Sequence, residues 1–212
     1  MPVEAIANPE GLSPPYADAG YPPRKRWTRR DCQALESAGL WECEKLELIE
    51  GDLISKMSKN RPHVNVMLLV MEWLAGVFGA RHITPEAPID VSPGDNPTNE
   101  PQPDLAVLAQ PFLSYQKANP GPSDVRLLVE ISDTTLAFDL GIKARLYARA
   151  GIQEYWVVDV TGHRIIVHRD PHAGVYVSVT SHRTGERIEP LSAPGRNFNV
   201  DDAFPDKAAP GA

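Results

Sequence analysis

The sequence is poor in cysteine and aromatic residues and has no apolar run long enough to cross a membrane. Its two cysteines, Cys32 and Cys43, have no CxxC spacing and no nearby histidine pair, so we expect reduced thiols in a cytoplasm rather than a structural zinc site. The most apolar stretch, residues 64–78, is interrupted by Asn65 and Glu72 and is too short for a transmembrane helix. The first residues also lack the apolar core of a secretory signal. We therefore predict no membrane partner.

Excess positive charge is also missing. The formal net charge of -7 argues against a strong non-specific grip on nucleic acid, because such binding depends on cations that displace phosphate counterions. Residues 24–30, RKRWTRR, hold five cations and are either a local basic patch or a solvated helix entry. No GxGxxG or GxxxxGK loop and no GxSxG elbow occurs, so neither a nucleotide-binding loop nor an acyl-transfer hydrolase is expected.

Proline is concentrated at the start of the chain. The first 23 residues hold six prolines and almost no apolar run, too little buried surface to offset the entropy of ordering. We predict a flexible arm over residues 1–26, one domain over residues 27–203 and a flexible tail over residues 204–212.

The first half of the domain shows helix and hairpin patterns. Thr28 can cap a helix to about Ala38, and apolar residues alternate on both sides of Glu50-Gly51-Asp52 as in a β-hairpin. A long amphipathic helix is expected from residue 61 to Gly79, followed by a strand over residues 82–91 and an irregular connector over residues 92–102.

The second half combines buried strands with one helix. The runs 102–109, 125–132 and 154–160 are apolar, as in strands covered on both faces, and a helix over residues 138–150 separates the last two. Such a strand, helix, strand unit predicts a parallel pair. Residues 164–190 alternate like an antiparallel meander, with Thr161-Gly162 as the first turn.

Two acids and a lysine form the main candidate site. Asp104 lies in one apolar strand segment, Glu130 near the end of another, and Lys143 on the helix that follows. Aspartate and glutamate carboxylates bind the divalent cations that many enzymes use to hydrolyse phosphodiester bonds. The alternative for Lys143 is a helix salt bridge with Asp139, four residues earlier.

Longer segments carry a family resemblance. LELIEGDLISKMS, QPDLAVL and LLVEISDTTLAFDLGIKARLYARAGIQEYWVVD resemble the Uma-two (Uma2) family of restriction endonucleases, a branch of the PD-(D/E)XK nuclease superfamily. The resemblance covers roughly residues 41–159. It implies an α/β (α+β) fold with a restriction-endonuclease-like mixed central β-sheet flanked by helices, before the C-terminal antiparallel meander.

The resemblance also implies roles for individual residues. Asp104 and Glu130 would bind Mg²⁺ or Mn²⁺, with the backbone carbonyl of Ile131 as a third oxygen, and Lys143 would be a catalytic lysine that has moved from the strand to the helix. The sequence departs from the superfamily pattern at Ser132, which stands where that lysine is expected.

Two further residues, Glu47 and His63, have two interpretations each, and two aromatic residues have one. Alternation places Glu47 toward either solvent or the cleft, and the resemblance favours a position near the metal. His63, in the first turn of the long helix, is either a surface residue or a contact for phosphate or a proton. Tyr147 and Trp156 are expected in the core.

The sequence thus predicts a Mg²⁺-dependent endonuclease with DNA as its substrate. One alternative is a nuclease-fold protein that has lost hydrolysis and acts as a nucleic-acid-binding or protein-interaction module. Another is a structural homodimer that pairs through the edge of the meander.

Overall fold

The computed structural model describes residues 25–40, 46–56 and 59–204. Most of the predicted arm, nearly all of the tail, Trp41 and Cys43 lie outside this part of the chain. Lys25 forms an ion pair with Asp31, and Arg26 donates a hydrogen bond to the Glu50 carbonyl. Arg29 pairs with Asp90. Acceptors inside the domain thus bind three of the four cations of the basic segment that the structure describes, as expected of a helix entry.

A six-stranded mixed sheet forms the centre of the molecule. Its spatial order is β3-β4-β5-β6-β7-β8, in which β5 and β6 are parallel and every other neighbouring pair is antiparallel. The strands are β3 (Ile83–Pro85), β4 (Leu105–Leu108), β5 (Val125–Ser132), β6 (Glu154–Asp159), β7 (Arg164–His172) and β8 (Val175–Arg183). The predicted fold class and the parallel pair are confirmed.

Helices cover both faces of this sheet. The helix α2 (Arg61–Phe78) packs Val66, Val70 and Leu74 against the residues of β5 at positions 127, 129 and 131. On the opposite face, the segment formed by α3 (Leu136–Phe138), a π-helical turn (Asp139–Lys143) and α4 (Ala144–Ala150) packs against the alternate residues. Because both faces are buried, the central strands are continuously apolar.

Local signals explain the ends of the first elements. Thr28 and Asp31 form a capping box at the start of α1 (Arg29–Ser37), and the Asn60 side chain caps α2. The hairpin β1 (Leu46–Ile49) and β2 (Asp52–Ser55) turns at Glu50 and Gly51, which both have positive φ. This is the backbone pattern of a tight type I′ turn.

Three details differ from the sequence-based expectation. The strand predicted over residues 82–91 ends at Pro85, because Glu86 adopts a positive φ and Pro88 follows. The connector contains one 3₁₀ turn, Asn96–Thr98. The strand β9 (Arg187–Ile188) leaves the meander and pairs with β10 (Phe198–Asn199) in a separate small sheet.

Among the described residues, no helix has the length and hydrophobicity that a transmembrane span needs.

Candidate active site

The register of two strands places Asp104 beside Glu130. Leu105 is opposite Val129 in the antiparallel pair β4-β5, so the next residues along the ladder are Asp104 and Glu130. The Asp104 amide donates to Glu130 Oε2 at 3.3 Å, and the Ile131 amide donates to Asp104 Oδ2 at 2.8 Å. Two acids that are distant in sequence thus meet at one end of the sheet.

A lysine joins Glu130 to a third acid. Lys143 Nζ lies 2.9 Å from Glu130 Oε1 and 2.9 Å from Glu47 Oε1. The other oxygen of Glu47, Oε2, accepts from the Gln102 amide at 3.2 Å. All three ionic side chains are at most 5% exposed. The first hairpin therefore directs the Glu47 carboxylate into the site and not to solvent. This agrees with one of the two interpretations of Glu47.

The π-helical turn ends at Lys143 and belongs to the segment that packs over β5. Such a turn inserts one residue into the helical ladder and changes the direction of the side chains around it. The Asp139 carboxylate accepts from the Thr135 hydroxyl at 2.6 Å, while the ion pairs of Lys143 are with Glu47 and Glu130. The alternative salt bridge between Lys143 and Asp139 is therefore wrong.

Asp104 is bound from the side of α2. Lys59 Nζ lies 2.6 Å from Asp104 Oδ1, and His63 Nε2 lies 3.5 Å from the same oxygen. The imidazole nitrogen is buried and has no hydrogen-bond partner within the described ranges. His63 therefore faces the site rather than the surface, with its Nε2 beside the Asp104 carboxylate.

The two central acids differ in their electrostatics. Burial opposes ionisation of Asp104, but His63 and Lys59 outweigh it and hold the Asp104 pKa well below its usual range. Burial raises the pKa of Glu130 to about 8 despite Lys143, with Asp104 adding to the rise. Burial also opposes the charge on Lys143, yet Glu130 and Glu47 raise its pKa, so the ammonium stays charged. Three carboxyl groups, those of Glu47, Asp104 and Glu130, thus share two lysine ammonium groups.

Two members of the site were not found from the sequence. The Tyr147 hydroxyl donates to Glu130 Oε1 at 3.0 Å, although the ring is buried as expected of a core residue. Tyr147 follows Lys143 by four residues and so shares its helix face, and this spacing was the signal in the sequence that could have placed Tyr147 at the site. Lys59 precedes the cap of α2 in an irregular segment, where no periodicity indicates the direction of a side chain. Ser132 is buried, 3.5 Å from the Thr135 hydroxyl.

The donor set suits a hard cation held by few protein ligands. No three His, Cys, Asp or Glu side chains of the described chain are grouped closely enough to form a complete metal site. Mg²⁺ needs no such cage, since one or two carboxylates together with waters and substrate phosphates suffice. Asp104 and Glu130 supply these carboxylates side by side, and a bound cation would favour the ionised form of Glu130, so the residues fit the ion.

The fold is similar to that of a solved structure. The chain is similar to the "putative nuclease belonging to DUF820 from Anabaena variabilis", with a TM-score of 0.57 and 14% sequence identity. The match covers 76% of this chain and 90% of that one. At this identity the likeness shows a shared fold.

The family follows from the sequence itself. Residues 35–201 match the model of the family Uma2, described as "Putative restriction endonuclease". The chain belongs to this family, which confirms the resemblance seen in its motifs. No curated protein matches the chain.

Proposed function

We propose that the protein is a Mg²⁺- or Mn²⁺-dependent endonuclease that hydrolyses phosphodiester bonds in DNA. The observation that carries this proposal is the register that sets Asp104 beside Glu130, with Lys143 bound to Glu130 at 2.9 Å. The family and the fold support nuclease chemistry. Cleavage of DNA in the presence and absence of Mg²⁺ or Mn²⁺ tests the metal dependence and the activity on DNA.

Asp104, Glu130 and the carbonyl of Ile131 are the proposed metal ligands. The Ile131 amide already binds Asp104, and the amide and carbonyl of one strand residue point to the same edge. The carbonyl therefore faces the end of β4, where Asp104 lies. When bound, the ion would neutralise charge on the scissile phosphate and make a water molecule nucleophilic.

Lys143 is the proposed catalytic lysine. Its ammonium has three N–H donors, of which Glu47 and Glu130 use two, so one donor remains for a water molecule or a phosphate oxygen. Glu47 and Tyr147 act as positioning residues, because they fix the lysine and the carboxylate that it accompanies.

The substrate would approach at the start of α2. The positive end of the dipole of this 18-residue helix lies beside His63 and favours an anion such as phosphate. Arg61 is exposed at the first helical position and adds positive charge. His63 is proposed to contact a phosphate oxygen or to transfer a proton, as its place beside Asp104 permits.

The alternative of a protein that binds nucleic acid without cleaving it has one specific observation in its favour. Each central carboxylate already binds a lysine, Asp104 through Lys59 and Glu130 through Lys143. A site whose charges were permanently paired in this way would have little affinity for a metal. Retention of DNA in a gel-shift assay, with no cleavage in either Mg²⁺ or Mn²⁺, would support this alternative.

Cleavage of supercoiled plasmid DNA tests the proposal. We expect nicking by the wild type in Mg²⁺ or Mn²⁺ and a loss of at least about a hundredfold in Asp104→Asn and Glu130→Gln, since each removes a charge that neutralises the metal. Calorimetry should show that Mn²⁺ binding disappears in the same variants.

Glu154→Gln is the matched control. Glu154 is as deeply buried as Glu130 and pairs with Arg169, but it lies at the start of β6, away from the site. We expect it to lower stability and to leave nicking within about twofold of the wild type. Equal loss in the control and in Asp104→Asn would indicate a folding defect and contradict the assignment. The cytoplasmic location and the homodimer remain predictions.

A further inference from the structure

We infer that Lys59 is a displaceable counter-ion, which occupies the metal-binding oxygen of Asp104 until a divalent cation replaces it. The inference rests on the proposed function, because it concerns the same carboxylates. It assigns Lys59 a role distinct from that of Lys143: it regulates the affinity of the site for metal.

The contacts of the four carboxylate oxygens identify the contested position. Asp104 Oδ2 accepts from the Ile131 amide, and Glu130 Oε1 accepts from both Lys143 and Tyr147. Glu130 Oε2 has only the long contact of 3.3 Å from the Asp104 amide. Asp104 Oδ1 accepts from Lys59 at 2.6 Å and lies at the longer distance of 3.5 Å from His63 Nε2. A cation shared by the two acids would therefore use Oε2 and Oδ1, and Lys59 would have to leave.

Lys59 is placed so that it can move away from its carboxylate, whereas Lys143 is fixed in position. Lys143 is 5% exposed and fixed between two carboxylates on a helix that packs against the sheet. Lys59 is 18% exposed and lies outside regular structure, before the cap of α2. Its ammonium is also 3.3 Å from Glu86 Oε1. When it releases Asp104, it keeps an ionic partner, so displacement does not strand a buried charge.

Displacement makes a quantitative prediction for metal affinity. If Lys59 pairs with Asp104 about nine-tenths of the time, the binding-competent fraction is about one-tenth, and removal of the lysine tightens Mn²⁺ binding about tenfold. If Lys59 only supported the fold, we would expect the opposite. Its loss would then disorder the Asp104 carboxylate and weaken the binding of Mn²⁺.

Calorimetric titration of the full chain with Mn²⁺, without DNA, compares Lys59→Met with the wild type. Lys56→Met is the matched control: Lys56 lies 4.0 Å from the same Glu86 oxygen and donates to the Gln102 carbonyl, not to Asp104. We expect tighter binding by about tenfold in Lys59→Met and a change below about twofold in Lys56→Met. Mn²⁺ should also raise the melting temperature of Lys59→Met more than that of the wild type.

The outcomes separate the two proposals. If neither the wild type nor Lys59→Met binds Mn²⁺, the proposed metal dependence itself fails. If the wild type binds and Lys59→Met binds equally or more weakly, the displacement is wrong although the metal site stands. An equal gain in Lys56→Met would show a general effect of charge and would also overturn the inference.

Discussion

Replacing Lys143 by methionine should destabilise the protein strongly and in a pH-dependent way. The variant leaves Glu47 and Glu130, both about 95% buried, without the ammonium that lies 2.9 Å from each. Breaking a buried ion pair from one side costs about 3–5 kcal/mol in the free energy of unfolding. In a domain of this size, about 2–4 °C is lost per kcal/mol, so we expect the melting temperature to fall by about 6–20 °C.

The pH dependence identifies the cause. Without Lys143, the pKa of Glu130 rises further in the folded state, so the folded protein binds a proton that the unfolded chain releases. Its stability therefore falls as the pH rises, and the loss relative to the wild type is smaller at low pH. Urea denaturation at pH 5 and at pH 8 measures both differences.

A second substitution provides the control. Lys143→Met combined with Glu47→Gln carries one buried charge fewer and should recover part of the lost stability at pH 8. A loss below about 1 kcal/mol, or an equal loss at both pH values, would refute the claim that this lysine neutralises buried carboxylates.

Two further predictions concern Glu130. Tyr147→Phe should lower the free energy of unfolding, measured by urea denaturation, by about 1–3 kcal/mol, because a hydrogen bond to a buried carboxyl is lost. The control is Tyr176→Phe, which should cost less in the same assay, because the buried Tyr176 hydroxyl has no partner among the described residues. Since the folded pKa of Glu130 is about 8 against an ordinary value of 4.5, its contribution to stability is complete below about pH 4.5 and is lost as the pH rises toward 8. Glu130→Gln should therefore be less sensitive to pH over that range in a chelating buffer, and an unchanged slope would contradict the raised pKa.

Much of the fold could be predicted from the sequence because its strongest signals are local. The alternation around Glu50-Gly51, the apolar runs of β4, β5 and β6 and the caps of α1 and α2 each follow from a few neighbouring residues. The end of β3 was wrong because a positive φ at Glu86 is a backbone feature that its residue type does not announce.

The site was predictable in its residue types and less so in its contacts. Asp104, Glu130 and Lys143 followed from strand ends, helix spacing and the family resemblance, but the pairing of Lys143 with Glu47 depends on where the hairpin docks. Lys59 could not be found, since an irregular segment has no period from which the direction of a side chain follows. Tyr147 was assigned to the core by spacing, and the same spacing also brings its hydroxyl to Glu130.

The most direct measurement is anomalous diffraction from a crystal of the protein grown with Mn²⁺. The account predicts a single strong peak between Asp104 and Glu130, next to Asp104 Oδ1, Glu130 Oε2 and the carbonyl of Ile131. A protein that binds Mn²⁺ in solution and shows its peak elsewhere, with Lys59 still on Asp104, would contradict it.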